Sequence, residues 1–377
     1  MTAVIHRVSR FRLLSASCIL AAVLAGPDVR AQTVFTASGA TAASIQPTVD
    51  SFRAALGTLN PNIVGSAASG RREINWDGVP DRFSAPNALP ANFFNVNSPR
   101  GVVFSTPGTG FQTSSNAAIG PVRFGNVDAS YTAQFQAFSP QRLFRAIGSN
   151  ILRVDFFVPG TTTPASISGF GVIFTDVETA GSTFIATTLA DGTAGGQWSA
   201  PTGTSGGLSF IGVVHPQRFS RIVIRFGNAV MASGTLDNPG GGVDIVAMDD
   251  FIYGEPQQLA TLDVDRSLTA TRYDALTDGV TILRYMLGNT GPSLTSGTSG
   301  ATATRTDPAA IKSYLDFIRT SLDIDGNGVT DAMTDGLLIL RYLFGLRGAS
   351  LVTGAFDPAG SRNSAATIEP YIQSLMP

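Results

Sequence analysis

Asp323, Asp325, Asn327 and Asp331 place oxygen-bearing side chains at alternate positions of one short run that begins at Leu322. Gly328 stands sixth, counting Asp323 as first. A hard divalent cation such as calcium takes about six to eight oxygens at roughly 2.3–2.6 Å. Alternate side chains of a tight loop converge on one point, and a glycine at the sixth position permits the sharp turn. The pattern therefore predicts a calcium loop. The alternative is an Asp/Asn/Gly-rich turn that holds no metal.

Something must hold such a loop down. The run Leu337 to Phe344 is apolar except for Arg341 and Tyr342, and it predicts a helix that stops at Gly345. The block recurs. Asp274 to Gly288, DALTDGVTILRYMLG, matches Asp331 to Gly345, DAMTDGLLILRYLFG, at ten of fifteen positions. Leu-Asp-x-Asp precedes each copy, at Leu262 and Leu322. The C-terminal third is thus a tandem repeat of about sixty residues. The first loop is looser. It carries three extra residues between Asp263 and Asp278, has Ser267 in place of Asn327, and lacks the glycine turn. Asp263, Asp265, Asp274 and Asp278 either meet one ion or form a vestigial, metal-free loop. Asp307-Pro308 starts a further helix with the apolar face Ile311, Tyr314, Leu315 and Ile318. Its counterpart starts near Ser364, with Pro370 expected to distort it.

The doubled loop–helix unit resembles dockerin modules, which are related to EF-hands. The resemblance implies Asp323, Asp325 and Asn327 as side-chain ligands, Val329 as a carbonyl ligand, and Asp331 as a direct or water-mediated one. It also implies a cohesin-type protein partner. This chain departs from the pattern at the twelfth loop position, which is Thr334; the carboxylate comes thirteenth, at Asp335. Either the loop is one residue longer, or Asp335 caps the helix.

Composition narrows the remaining chemistry. Residues 1–31 read as a secretory signal peptide, with a basic start, an apolar stretch from Leu13 to Leu24 and a small-residue end at Ala31. No later run is long and apolar enough for a membrane helix, so a secreted or surface-associated protein is expected. The chain has 25 Lys+Arg and 27 Asp+Glu; residues 1–31 contribute four Arg and one Asp, leaving 21 against 26. A net charge of −5 argues against a nucleic-acid partner. Cys18 is the only cysteine, and beyond residue 31 His215 is the only histidine. Zinc sites built on several His or Cys, and cysteine nucleophiles, are excluded. His215, just before a proline between two apparent strands, reads as a turn residue.

Residues 32–256 predict a mainly β unit preceded by a short helix with Ile45, Val49, Phe52, Ala55 and Leu56 on one face. Gly, Thr, Ser and Phe dominate from Gly70 to Pro256. Short β-rich runs cover Val102–Ser105, Leu152–Val158, Gly169–Thr175, Ser182–Leu189, Leu208–Val214, Arg221–Phe226 and Val243–Tyr253, with turns such as Asp191-Gly192 between them. The expected fold is an antiparallel β-sandwich, followed after a linker at 257–261 by a small α-helical duplicated calcium-loop module at 262–321 and 322–377. Residues from about 65 to 256, with GFGVIFTDVE, GGLSFIGVV and VAMDDFIYGEP in order, resemble jelly-roll domains of bacterial exported proteins, some of which bind carbohydrate.

Within it, Trp76 is either a sugar platform or a core residue, and Trp198 sits in an apparently exposed loop. Asp176 with Glu178, and Asp244 with Asp249 and Asp250, are either solvated turn carboxylates, holders of a structural ion, or an acid pair. The sequence thus predicts an exported, calcium-binding, non-catalytic binding or adhesion protein. The alternative is a polysaccharide-active glycoside hydrolase or its accessory subunit.

Overall fold

The computed structural model describes residues 32–190, 193–267 and 272–376. The signal-peptide segment and the Asp191-Gly192 turn lie outside the described residues. The fold is mainly β, organised on one long strand, β10 (Leu208–Arg225). Its first half pairs with β1 (Thr33–Gly39) and β7 (Ala165–Thr175). Its second half pairs with β6 (Ile151–Phe156) and β8 (Phe184–Leu189). Strand β7 also carries β11 (Ala247–Gly254), which in turn pairs with β2 (Arg71–Ile74) and β5 (Phe144–Ile147). Strands β3 (Val102–Ser105), β9 (Ala194–Ser199) and β4 (Gly110–Thr113) extend the sheet beyond β6, β8 and β5. The antiparallel sheet curls until it is nearly closed.

Alternation along these strands sends one set of side chains inward. Trp76, Phe94, Phe104, Phe144, Phe170 and Phe251 form the aromatic centre of that core. Trp76 stacks on Phe144 with ring centroids 4.0 Å apart and donates its indole N–H to the Asp249 carbonyl at 2.9 Å. Trp76 is therefore a core residue, and its ring is closed to a sugar.

The expected N-terminal helix is α1 (Ala42–Leu56), and it packs on the outer face of the sheet. Ile45, Val49, Phe52 and Leu56 are buried as the helical spacing requires, whereas Ala55 is exposed. Phe52 enters a pit made by a cross-strand glycine pair, Gly212 opposite Gly171. A Cβ on Gly171 would lie 2.6 Å from the Phe52 ring, and one on Gly212 would lie 2.8 Å from it.

Two expectations need correction. The runs Leu208–Val214 and Arg221–Phe226 belong, up to Arg225, to one strand, because the chain stays extended through His215-Pro216 and only its partners change. His215 therefore lies within the strand and not in a turn, its Nδ1 2.7 Å from the Gln217 carbonyl oxygen. Trp198 lies not in a loop but on β9, opposite Ile185, half-buried against the core.

The C-terminal third has its own core, including Leu262, Ile282, Leu315, Ile324, Leu338, Ile339 and Ile372. Helices α2 (Val280–Met286) and α4 (Leu337–Leu343) are the paired apolar runs of the repeat. They meet through one glycine each. A Cβ on Gly279 would fall 3.0 Å from Leu340 Cδ1, and one on Gly336 would fall 2.9 Å from Leu283 Cδ1. Leu283 and Leu340 are equivalent positions of the repeat, so the contact is reciprocal, as in a two-fold interface. Helix α3 (Pro308–Ile318) starts at Asp307, whose carboxylate accepts from the Ala310 N–H at 2.9 Å. Helix α5 (Ala365–Ser374) continues through Pro370. Gln257 and Gln258 form a short strand, β12, on β7, and the Thr261 N–H donates to the Tyr314 hydroxyl at 2.8 Å.

Candidate metal centres

In the second repeat the carboxylate oxygens of Asp323, Asp325 and Asp335 lie within 4.8 Å of one another. Asp325 and Asp335 are fully buried. A single π-helical turn, Ala332–Gly336, brings the thirteenth residue into the group. The Gly336 N–H reaches back five residues to the Asp331 carbonyl at 3.0 Å. A π turn holds one residue more than an α turn, so Asp335 faces the loop although it comes one position late. The Asp335 carboxylate accepts from the N–H groups of Ile324 at 2.6 Å, Asp325 at 3.2 Å and Asp331 at 2.9 Å.

Asp331 does different work. It caps the turn, accepting from the Met333 and Thr334 N–H groups at 2.8 and 2.9 Å. Asn327 Oδ1 accepts from the Val329 N–H at 2.7 Å, and Gly328 adopts a φ of +86°, the left-handed conformation expected of it.

The first repeat gathers the equivalent acids. Asp263, Asp265 and Asp278 have oxygens within 4.8 Å of one another, and all three are buried. Asp278 accepts from the Val264 N–H at 2.6 Å, and Asp274 caps its own π turn, Ala275–Gly279. Two features set this copy apart. Arg266 takes the left-handed conformation (φ +57°) that Gly326 (φ +71°) takes in the second copy. Such a backbone costs a non-glycine residue about 1–2 kcal/mol. Arg272 also places a guanidinium 3.5 Å from the Asp263 carboxylate, where it competes with a metal ion.

Burial pushes the Asp335 carboxyl up to about 6 and the Asp278 carboxyl up to about 7, with neighbouring acids adding to the effect. Three carboxylates at such spacing repel by roughly 3 kcal/mol per ionised pair at an effective dielectric near 20. A divalent cation between them removes that repulsion. The donors are all oxygen, which suits calcium, magnesium or manganese better than softer metals. Both groups could hold a metal ion.

An arginine–tyrosine clamp supports each loop from behind. Arg362 donates to the Ile324 carbonyl at 2.6 Å and to the Asp323 carbonyl, and its guanidinium lies 3.8 Å from the Tyr371 ring centre. Arg305 donates to the Val264 carbonyl at 2.6 Å and lies 3.8 Å from the Tyr314 ring centre. The sequence reading missed this pair. Its signal was present: Arg305 and Arg362, and Tyr314 and Tyr371, are separated by the same interval as Asp274 and Asp331.

In the β unit, the acids read as solvated turn carboxylates, ion holders or an acid pair are buried except Glu178, which is partly exposed. Asp176, Asp244, Asp249 and Asp250 are all at most 2% exposed. Asp77 is tied to the N–H groups of Gln141 and Arg142 at 2.6 and 2.9 Å. One cleft of this unit is lined by Asn75, Gly78, Asn97 and Arg100, and another by Val122, Arg123, Phe138 and Gln141; neither has a carboxylate in its wall. Among the described residues no helix is long and apolar enough to cross a membrane. No family model, curated protein or solved structure matches the chain.

Proposed function

We propose that this chain is an exported, calcium-binding, non-catalytic binding protein. Its C-terminal repeat would be a dockerin-like module that docks or rigidifies, and its bent sheet a jelly-roll-like sandwich that contacts a glycan or surface component. The observation that carries the calcium reading is the convergence of Asp323, Asp325 and Asp335, repeated at Asp263, Asp265 and Asp278. Asn327, the Val329 carbonyl and Asp331, the last through a bridging water, complete the second site in this reading. Asp274 does the same for the first.

The mechanism is metal-coupled folding. Calcium offsets the mutual repulsion of the acids, and its binding free energy adds to folding stability as RT ln(1 + [Ca]/Kd). Extracellular modules of this kind bind in the range of about 10⁻⁴ to 10⁻³ M, so an exported protein would be loaded and a chelated one loosened. The half-buried Trp198 on the edge strand β9 is the remaining aromatic platform for a glycan, since Trp76 is enclosed. Glycan arrays probed with the full chain test this half: binding lost in Trp198→Ala supports it, and blank arrays with calcium present remove it.

A further inference from the structure

A third group of acids lies in the β unit, far in sequence from the repeat. Asp176 follows the end of β7, Glu178 comes two residues later, and Asp237 lies in the segment joining β10 to β11. Their carboxylate oxygens approach within 4.8 Å of one another. Asp244, from the same joining segment, is fully buried, and its Oδ2 accepts from the Ser182 hydroxyl at 2.5 Å and the Thr179 N–H at 3.2 Å.

The donors supplied by the protein do not satisfy this group. Asp176 accepts from the Gly206 N–H at 2.6 Å and from the Gln134 amide, and Asp237 from the Ile245 N–H at 2.8 Å. Asp244 Oδ1 is enclosed with no hydrogen-bond donor, and both oxygens of Glu178 are enclosed with only the Ser205 hydroxyl and the Asp176 carboxyl near them, neither in good hydrogen-bonding geometry. No arginine or lysine forms an ion pair with any of the four acids among the described residues. A buried carboxylate without a good donor or a counter-charge is costly, and here Asp244 Oδ1 and the under-donated Glu178 accompany one crowded group.

We infer that Asp176, Glu178 and Asp237, backed by Asp244, form a divalent-cation site that ties the end of β7 to the segment between β10 and β11. The all-oxygen donor set selects a hard cation, and calcium fits a site assembled from two irregular connections better than magnesium, which demands near-ideal octahedral geometry. The site is independent of the repeat and stands or falls separately.

Hydrogen exchange on the full wild-type chain, in calcium and in chelator, tests the site by location. Calcium should slow exchange in residues 176–183 and 228–246 by about tenfold or more. A Glu178→Gln variant, which keeps the side-chain shape, should lose that protection, keep any calcium response of residues 322–335, and melt no lower than wild type in chelator. Unchanged exchange at 176–183 and 228–246 in the wild type would overturn the inference and leave a carboxyl–carboxylate pair sharing a proton. Equal calcium protection in wild type and Glu178→Gln would also overturn it.

Discussion

Asp335 is thirteenth counting from Asp323, and one π turn brings its carboxylate to those of Asp323 and Asp325. Asp335→Ala should therefore abolish calcium binding at the second site. Asp331→Ala should cost about 1 kcal/mol through the lost cap and weaken binding without abolishing it; calorimetric titration separates the two. The second site should bind more tightly than the first, where Arg272 contacts Asp263 and Arg266 holds a glycine's conformation. A different acid governs a pH effect. Burial raises the Asp250 carboxyl from 3.8 to about 6. The folded protein then holds this proton more tightly than the unfolded chain does. Its contribution is full below pH 4 and is lost as pH rises through about 6. With calcium present, Asp250→Asn should flatten that part of the stability profile in urea titrations. The acids of the second loop were legible in the sequence because their spacing is local. Asp237 was not, because only the tertiary fold brings it to Asp176 and Glu178.

At the scale of elements, glycines set how closely helices and strands approach. Gly212→Ala would force its Cβ into the Phe52 ring, and overpacking of this kind costs about 1–3 kcal/mol. Phe52→Ala would empty the pit at about 3–5 kcal/mol. Combined with Phe52→Ala, Gly212→Ala should therefore cost much less than it does alone, in a double-mutant cycle read by chemical denaturation. The end of β11 is locked by a buried ion pair, Arg72 to Glu255 at 2.8 Å. Arg72→Ala leaves Glu255 buried and unpaired, so a loss of roughly 3–5 kcal/mol is expected in the same assay. Helix α1 and strands such as β3 could be read from periodicity. Strands β1, β2, β4, β5 and β9 could not, because they are short or polar and owe their conformation to their partners. The continuity of β10 was hidden by His215-Pro216, which reads as a break although the strand runs through it.

At the scale of the whole molecule, a β unit with an aromatic core joins a helical repeat with a separate core. The duplication was visible in the sequence as matched blocks. The path of the sheet was not, because pairing between distant strands leaves no local pattern. In the proposed function, calcium is the ligand that couples the repeat's charge to its folding. The most direct test is a calcium titration of the full chain by calorimetry, with far-ultraviolet circular dichroism at each end point, set beside an Asp278→Asn/Asp335→Asn variant. Wild type should bind with a gain of helical signal, and the variant should bind two fewer ions and show no such gain. A wild type that gives no heat and an unchanged spectrum, or a variant that titrates like wild type, would contradict the account.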